Sequence, residues 1–512
     1  MTESGSYPSL PSAPFVFTSD SDAGTAMRAR SSRESIQRLA RVLRFYHQNH
    51  AQSPDTPLLF SADYAFAPEL IAACWHAGRS FLVMPPGHDS AAEFEEEMRC
   101  YSDLLPYDWQ AAIAEYLEAL PADPVAAKEF EAGLLPDAAT ADATKEEQVF
   151  MYAQTSGSSG RPKLIALKRR QFVAAADQAG TNMMPPRDGC WLLCLPLHHI
   201  GGISVVLRSW LYGSPVLDLR KADMEDIAGH IRHNEAVSMA SMVPTQLHQL
   251  MKVAREKRHE VVAHPHFQAV LLGGGPSDAG LIEAARARKL PVMKSYGMTE
   301  TCAQIFATPA DELFTAPPES SGKLLGTPAQ GYEAVIRPPD SSADDAAIPY
   351  GETGLLWLRG PQIIGPSSII RAADAPPETA SAALFDAEGW FCTGDYARLD
   401  ADGYLFIEMR RSDLIVSGGK NINPARVENA IRRAFPQLKD CSVTGAEDSY
   451  WGQRPVAFLV AGSAEAEKLL TTEVFVQKLR EQLPAYMIPR EIRFLPSLPR
   501  TALGKLKKNE LK

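Results

Sequence analysis

Nowhere in the 512 residues does an apolar run approach the roughly 18 that a membrane-crossing helix needs, and the opening MTESGSYPSLPSAPF has neither the basic start nor the apolar centre of a secretory leader. Both absences point to a cytoplasmic protein. The seven cysteines (Cys74, Cys100, Cys190, Cys194, Cys302, Cys392, Cys441) are odd in number and form no CxxC pair, which speaks against a disulfide framework or a zinc ribbon. Cys190 and Cys194, framing CWLLC, read as small core thiols. Two nucleotide-binding fingerprints are also missing. GxxxxGK[ST] does not occur, and GGGPSDAG carries Asp278 where GxGxxG needs its last glycine, so a P-loop NTPase and a dinucleotide-binding Rossmann domain are poor readings. A net charge of −11 disfavours nucleic acid or an anionic membrane as the main partner. Small molecules are left.

What is present is an ordinary globular composition, 45% hydrophobic and 22% charged, on a chain long enough for more than one domain. Residues 1 to about 30, rich in Ser, Pro and Ala, read as poorly ordered or laid across a surface. Ile36, Leu39, Ala40, Leu43 and Tyr46 keep helical spacing. TPLLFSAD, ELIAACWHAG and SFLVMPPG then read as strand, helix, strand. After an Ala/Asp/Thr-rich stretch at 134–147 the alternation resumes with VFMYAQ, WLLCLPL, MEDIAGHIRH, VSMASMVP, FQAVLLGGG, DAGLIEAARARK and PVMKSYG. Short apolar strands alternating with helices predict an α/β protein whose parallel-rich sheets are covered by helices on both faces. From about Gly331 short strands and turns (YEAVIRPP, GLLWLRG, GYLFIEMRR) predict a β-rich subdomain. The last hundred or so residues mix helix and strand again. We therefore expect a large N-terminal domain over 1–410 and a small α/β domain over 411–512.

The stretch TSGSSGRPK, Thr155 to Lys163, has the small residues that let consecutive backbone N–H groups face one anion, with Lys163 to add charge. A solvated linker has the same composition. Six further stretches follow it in order: LPLHHIGG (195–202), LLGGGP (271–276), YGMTET (296–301), WFCTGD (390–395), RRSDLIVSGGKNINP (410–424) and PRTALGKLKK (499–508). Together they resemble the adenylate-forming superfamily of acyl- and aryl-CoA synthetases, nonribosomal adenylation domains and luciferases. The resemblance covers about 155 to the end.

That resemblance implies ATP, Mg²⁺ and coenzyme A, an acyl-adenylate intermediate, and a residue-by-residue site. Thr155, Ser156, Gly157, Ser158, Ser159, Gly160 and Lys163 would cradle phosphate. Gly274, Gly275, Pro276, Tyr296 and Gly297 would form the adenine shelf, while Asp395 and Arg410 would hold the ribose; on its own Asp395 reads as a turn residue that follows a strand. Thr299 would donate to the α-phosphate and Glu300 would ligate Mg²⁺, although MTE is also ordinary helix-capping chemistry. Lys505 would stabilise the charge that shifts as pyrophosphate leaves, unless it is only one more lysine of a basic tail. Ser412 would be the hinge about which the small domain turns, bringing Gly418 and Gly419 to the pantetheine arm. Two positions depart from the pattern: Leu164 stands where glycine is usual, and His198 precedes His199 where an aromatic is usual. His199 takes an acyl-pocket position. A metal role for the two histidines is not expected, since neighbours on a strand point apart.

Within the superfamily, SMVPTQL, LLGGGPSDAG, SYGMTETCAQI and RRSDLIVSGG resemble the o-succinylbenzoate-CoA ligases of menaquinone biosynthesis most. Arg208, in the apolar run HIGGISVVLRSWLYG, would hold a substrate's second carboxylate; a pair with Asp218 would explain it equally well. Ser241 and Thr245 would hydrogen-bond the acid from the same wall, or serve as strand-end and helix-start polarity. The partners implied are a carboxylic acid and CoA, or a carrier-protein phosphopantetheine in trans, since no carrier domain follows Lys512; a homodimer stays open. Another aryl or fatty acid, and an inactive acyl-nucleotide-binding protein, remain as alternatives.

Overall fold

The computed structural model describes residues 14–19, 27–32, 40, 43, 58–61, 67–84, 146–156, 162–184, 186, 189–338, 347–370, 384–410, 413–418, 420–448, 450–463, 467, 470–500, 506 and 508–511. They fall into two compact units, Met1–Ala334 with Leu358–Phe391, and Val335–Trp357 with Cys392–Lys512. The β-rich stretch thus clusters largely with the C-terminal part of the chain.

The first unit is dominated by a nine-stranded sheet. Its middle is parallel, in the order Val292–Met298, Ala269–Leu272, Val237–Met242, Cys190–Leu193, Val216–Asp218 and Pro14–Ser19. Antiparallel strands close it on both sides: Ala303–Ala307 and Lys323–Leu324 at one, Met27–Ser32 at the other. The central strands are apolar on both faces because helices cover both. Trp191, Leu193, Met239, Leu271 and Met293 pack with the helix Ile200–Tyr212. Their neighbours Leu192, Ala240, Met242, Val270 and Leu272 pack with the helices Met224–His233, Pro244–Glu256 and Ala279–Ala287.

A second, five-stranded sheet runs Ile369–Ile370, Pro162–Lys168, Val149–Ser156, Phe81–Met84, Leu58–Ser61. Leu58–Ser61, the helix Ala67–Ala77 and Phe81–Met84 form the expected strand-helix-strand unit with parallel strands. Of the helix expected around Ile36–Tyr46, Ala40 and Leu43 are described, both helical and fully buried. One expectation fails. Pro14–Ser19 and Met27–Ser32 are strands of the large sheet, because a Ser/Pro/Ala composition that gives no signal by itself is overridden by pairing with Val216–Asp218.

The second unit is built on a four-stranded sheet in the order Glu333–Arg337, Gly354–Arg359, Phe391–Leu399, Leu405–Arg410. A five-stranded sheet follows, in the order Lys420–Ile422, Ile415–Ser417, Gly452–Ala461, Leu438–Asp448, with Glu491–Phe494 added parallel to Gly452–Ala461. The helices Pro424–Ala434 and Thr472–Leu479 cover it, with Val427, Ile431, Phe435, Phe475 and Leu479 in the core.

Candidate active site

In the large sheet the chain steps from Cys190–Leu193 to Val216–Asp218 on one side, then returns to Val237–Met242 on the other. The strand order therefore reverses between Cys190–Leu193 and Val237–Met242. Helices leave those two strands toward opposite faces, which opens a crevice beyond their carboxyl ends, the usual ligand position in open α/β sheets. The sequence-predicted residues that follow the strands of this sheet gather along that edge. Leu193 leads to His198 and His199, Ser241 and Thr245 flank the end of Val237–Met242, Gly274–Pro276 follow Ala269–Leu272, and Tyr296 and Gly297 end the next strand, followed by Thr299 and Glu300.

Gly274 adopts φ +79° in an exposed turn, a conformation that favours glycine. Gly297 is required for another reason: a Cβ there would lie 1.8 Å from the Ala303 carbonyl oxygen. That carbonyl comes so near because the chain doubles back through Cys302 and Ala303, at φ 48° and 79°, immediately after the short 3₁₀ turn Thr299–Thr301. Left-handed non-glycine backbone of this kind costs about 1–3 kcal/mol per residue and persists only where its surroundings hold it. The fully buried Gln362 is part of that hold, its Nε2 donating to the carbonyls of Thr301 (2.7 Å) and Gln304 (2.9 Å). Ile364 N–H donates to the Glu300 carbonyl at 3.0 Å. Glu300 itself is half-buried.

Arg208 lies in the helix Ile200–Tyr212 and is 3% exposed. Nη1 donates to Gln304 Oε1 at 2.9 Å, whereas Nε and Nη2 are buried without a partner among the described residues. Burial pulls the guanidinium down to about 10, so it stays cationic at neutral pH. The suggested pair with Asp218 does not form. Asp218 binds Arg220 instead, Nε to Oδ1 and Nη2 to Oδ2, both at 2.9 Å. Ser241 is tied into the fold at both ends, its Oγ accepting from Trp191 Nε1 (3.0 Å) and its carbonyl from Cys194 Sγ (3.0 Å). Burial pushes the Cys190 and Cys194 thiols up to about 12, as suits core thiols. The premise that His198 and His199 point apart on a strand fails. Their rings sit 4.1 Å apart at 47°, because the backbone there is a turn into a helix rather than a strand.

The opening loop joins two antiparallel strands, with Thr155 opposite Lys163 and Ser156 opposite Pro162. The stretch thus begins and ends in paired strands of the five-stranded sheet. Gly157, Ser158, Ser159 and Gly160 lie outside the described residues. Leu164 pairs with Gln154 and Ile370 and is fully buried, so the residue that breaks the expected pattern belongs to the core.

In the second unit Asp395 is 2% exposed and stands opposite Arg410 on the antiparallel ladder of Phe391–Leu399 and Leu405–Arg410. It is inside a strand, not in a turn; Gly394, at φ +73°, and the Asp395 N–H bond to Thr393 Oγ1 give the local irregularity that composition suggested as a turn. Gly418, at φ 56°, turns the hairpin between Ile415–Ser417 and Lys420–Ile422 and donates to the Trp451 carbonyl at 2.9 Å. Ser412, Gly419 and Lys505 lie outside the described residues. Arg500 and Leu506 form an isolated antiparallel bridge.

Residues 90–365 match the AMP-binding enzyme family, and 426–505 match the AMP-binding enzyme C-terminal domain. The chain belongs to the AMP-binding enzyme family. Among curated relatives of this AMP-binding enzyme is a 2-succinylbenzoate--CoA ligase of Bacillus cereus, 33% identical over 368 residues, which covers 72% of this chain and 70% of that one. Among solved structures, o-succinylbenzoate CoA synthetase from Bacillus subtilis in complex with the acyl-adenylate intermediate OSB-AMP superposes at a TM-score of 0.74 with 26% identity, covering 98% of this chain and 96% of that one. The Bacillus subtilis enzyme in complex with ATP and magnesium ion gives 0.74 and 26%, covering 98% and 97%. Among the described residues no helix is long and apolar enough to cross a membrane.

Proposed function

We propose that this AMP-binding enzyme activates 2-succinylbenzoate with ATP and passes the acyl group to coenzyme A. The observation that carries the choice of acid is Arg208, a buried cation whose Nε and Nη2 have no partner among the described residues. Leaving such donors unmatched costs on the order of 1–3 kcal/mol, and a carboxylate bound there would recover it. An acid with a second, non-reacting carboxylate fits. The relatives named for 2-succinylbenzoate support the same reading.

The residue roles follow from position and chemistry. Thr155, Ser156 and Lys163, with Gly157, Ser158, Ser159 and Gly160 between them in the sequence, take the phosphates, and the open turn Gly274–Pro276 with Tyr296 and Gly297 receives the adenine. Asp395 accepts from the ribose hydroxyls beside Arg410. Thr299 donates to the α-phosphate. Glu300, a half-buried carboxylate held by its own backbone, is the residue suited to Mg²⁺, which when bound supplies charge neutralisation at the phosphates. The acid's reacting carboxylate displaces pyrophosphate at the α-phosphorus, and Lys505 compensates the charge that shifts to the leaving oxygens. His199, Ser241 and Thr245 border the acid. We set the mobile lid at 411–512, turning about Ser412 so that Gly418 and Gly419 admit the pantetheine arm for thioester formation. The buried thiols Cys74, Cys190, Cys194, Cys302, Cys392 and Cys441, none of them in a disulfide, suit a reducing cytoplasm.

Pyrophosphate release, measured with and without CoA over 2-succinylbenzoate, benzoate, 2-hydroxybenzoate, succinate and octanoate, tests the reading. Turnover of 2-succinylbenzoate that needs CoA is expected. Preference for another acid would discard the substrate, and turnover that needs a carrier-protein thiol instead would discard CoA.

A further inference from the structure

Gln304 has no role in the reading above, yet it is the one residue among those described that holds the Arg208 guanidinium. It is 6% exposed on the strand Ala303–Ala307, and its backbone is fixed by Gln362 as described above. Gln362 is itself held, since Tyr332 Oη contacts its Oε1 at 3.3 Å and Gln171 Nε2 donates to its carbonyl at 3.4 Å. The aim of Arg208 is therefore set by a chain of buried amides. Among the described residues no carboxylate pairs with Arg208. The ionisable groups acting on Arg208 are the Cys302 thiol, whose pKa burial raises far above neutrality, and the Tyr212 phenol. Neither is a carboxylate. A glutamate at 304 would cancel the cation; glutamine accepts one N–H and leaves the charge in place.

We infer that Gln304, locked by Gln362, is the positioning residue that determines specificity for a second carboxylate: its amide aims Arg208 while leaving the full positive charge for the substrate. The inference rests on the 2-succinylbenzoate reading. Because Gln362 also holds Thr301, next to Glu300, one amide ties the acid end of the site to the phosphate end.

The test compares kcat/KM of the full chain for 2-succinylbenzoate and for its two analogues that each lack one carboxylate. Gln304→Glu is expected to lower kcat/KM for 2-succinylbenzoate by on the order of 10- to 100-fold, mainly through KM, and to change that of whichever monocarboxylate reacts by less than about threefold. In an Arg208→Met background the same change should have no further effect on selectivity, which separates action through Arg208 from general damage. Gln304→Met, which removes the acceptor without adding charge, should lose about 2- to 10-fold in the same direction and serves if the glutamate variant does not fold. Equal loss for both acids, or unchanged selectivity, overturns the inference. A wild-type chain inert toward 2-succinylbenzoate overturns the substrate reading and the inference with it, an outcome distinguishable because it appears before any substitution is made.

Discussion

Arg208 and Arg220 are both buried and belong to adjoining parts of the same fold, but they are used in opposite ways. Arg220 meets Asp218 through two parallel hydrogen bonds, with side chains 8% and 6% exposed, so its charge is cancelled where it stands. Arg208 meets a neutral amide and keeps its charge. Breaking the first should cost stability; removing the second should cost recognition. A buried cation that no described carboxylate neutralises is what the proposed reading assigns to the substrate's second carboxylate.

The comparison can be broken at several strengths. Asp218→Ala removes the carboxylate that Arg220 grips through two hydrogen bonds and is expected to destabilise the protein by about 3–5 kcal/mol in denaturant unfolding, with the ratio of activities on different acids unchanged. An altered ratio would mean that this pair also serves the site. Lys505→Ala does the reverse: adenylate formation followed by pyrophosphate release should fall on the order of 10²- to 10³-fold while the unfolding midpoint holds. Loss within about threefold would remove Lys505 from catalysis. Arg208→Met should shift stability by no more than about 1 kcal/mol, since the cost of burying the charge disappears together with the bond to Gln304. A loss like that of Asp218→Ala would make Arg208 structural after all. At the bottom of the scale, Lys252→Ala breaks the exposed pair with Glu256 and should change stability by less than about 0.5 kcal/mol and activity not at all.

The sequence made the parallel core legible because Cys190–Leu193, Val237–Met242 and Ala269–Leu272 are apolar on both faces, a pattern that only a doubly covered sheet satisfies. The edge strands Pro14–Ser19 and Met27–Ser32 were not legible, since their partners and not their composition make them strands. The motif residues could be read in order, and the carboxyl ends of successive strands bring those of the nine-stranded sheet to one edge. Partners at long range were hidden. Nothing local to Arg208 points to Gln304, and Gln362, which fastens the turn between Gly297 and Gln304, carries no motif. The Asp218 partner, by contrast, could have been found: LDLR places an aspartate and an arginine two positions apart at a strand end, a spacing that lets the two side chains meet.

The most direct test of the account is the ratio of kcat/KM for 2-succinylbenzoate over its reactive monocarboxylate analogue, measured with CoA in the wild-type chain and in Arg208→Met. The account predicts a ratio that falls by about 10- to 150-fold in the variant, nearly all of it from loss of the dicarboxylate. A ratio that stays the same in both would contradict it.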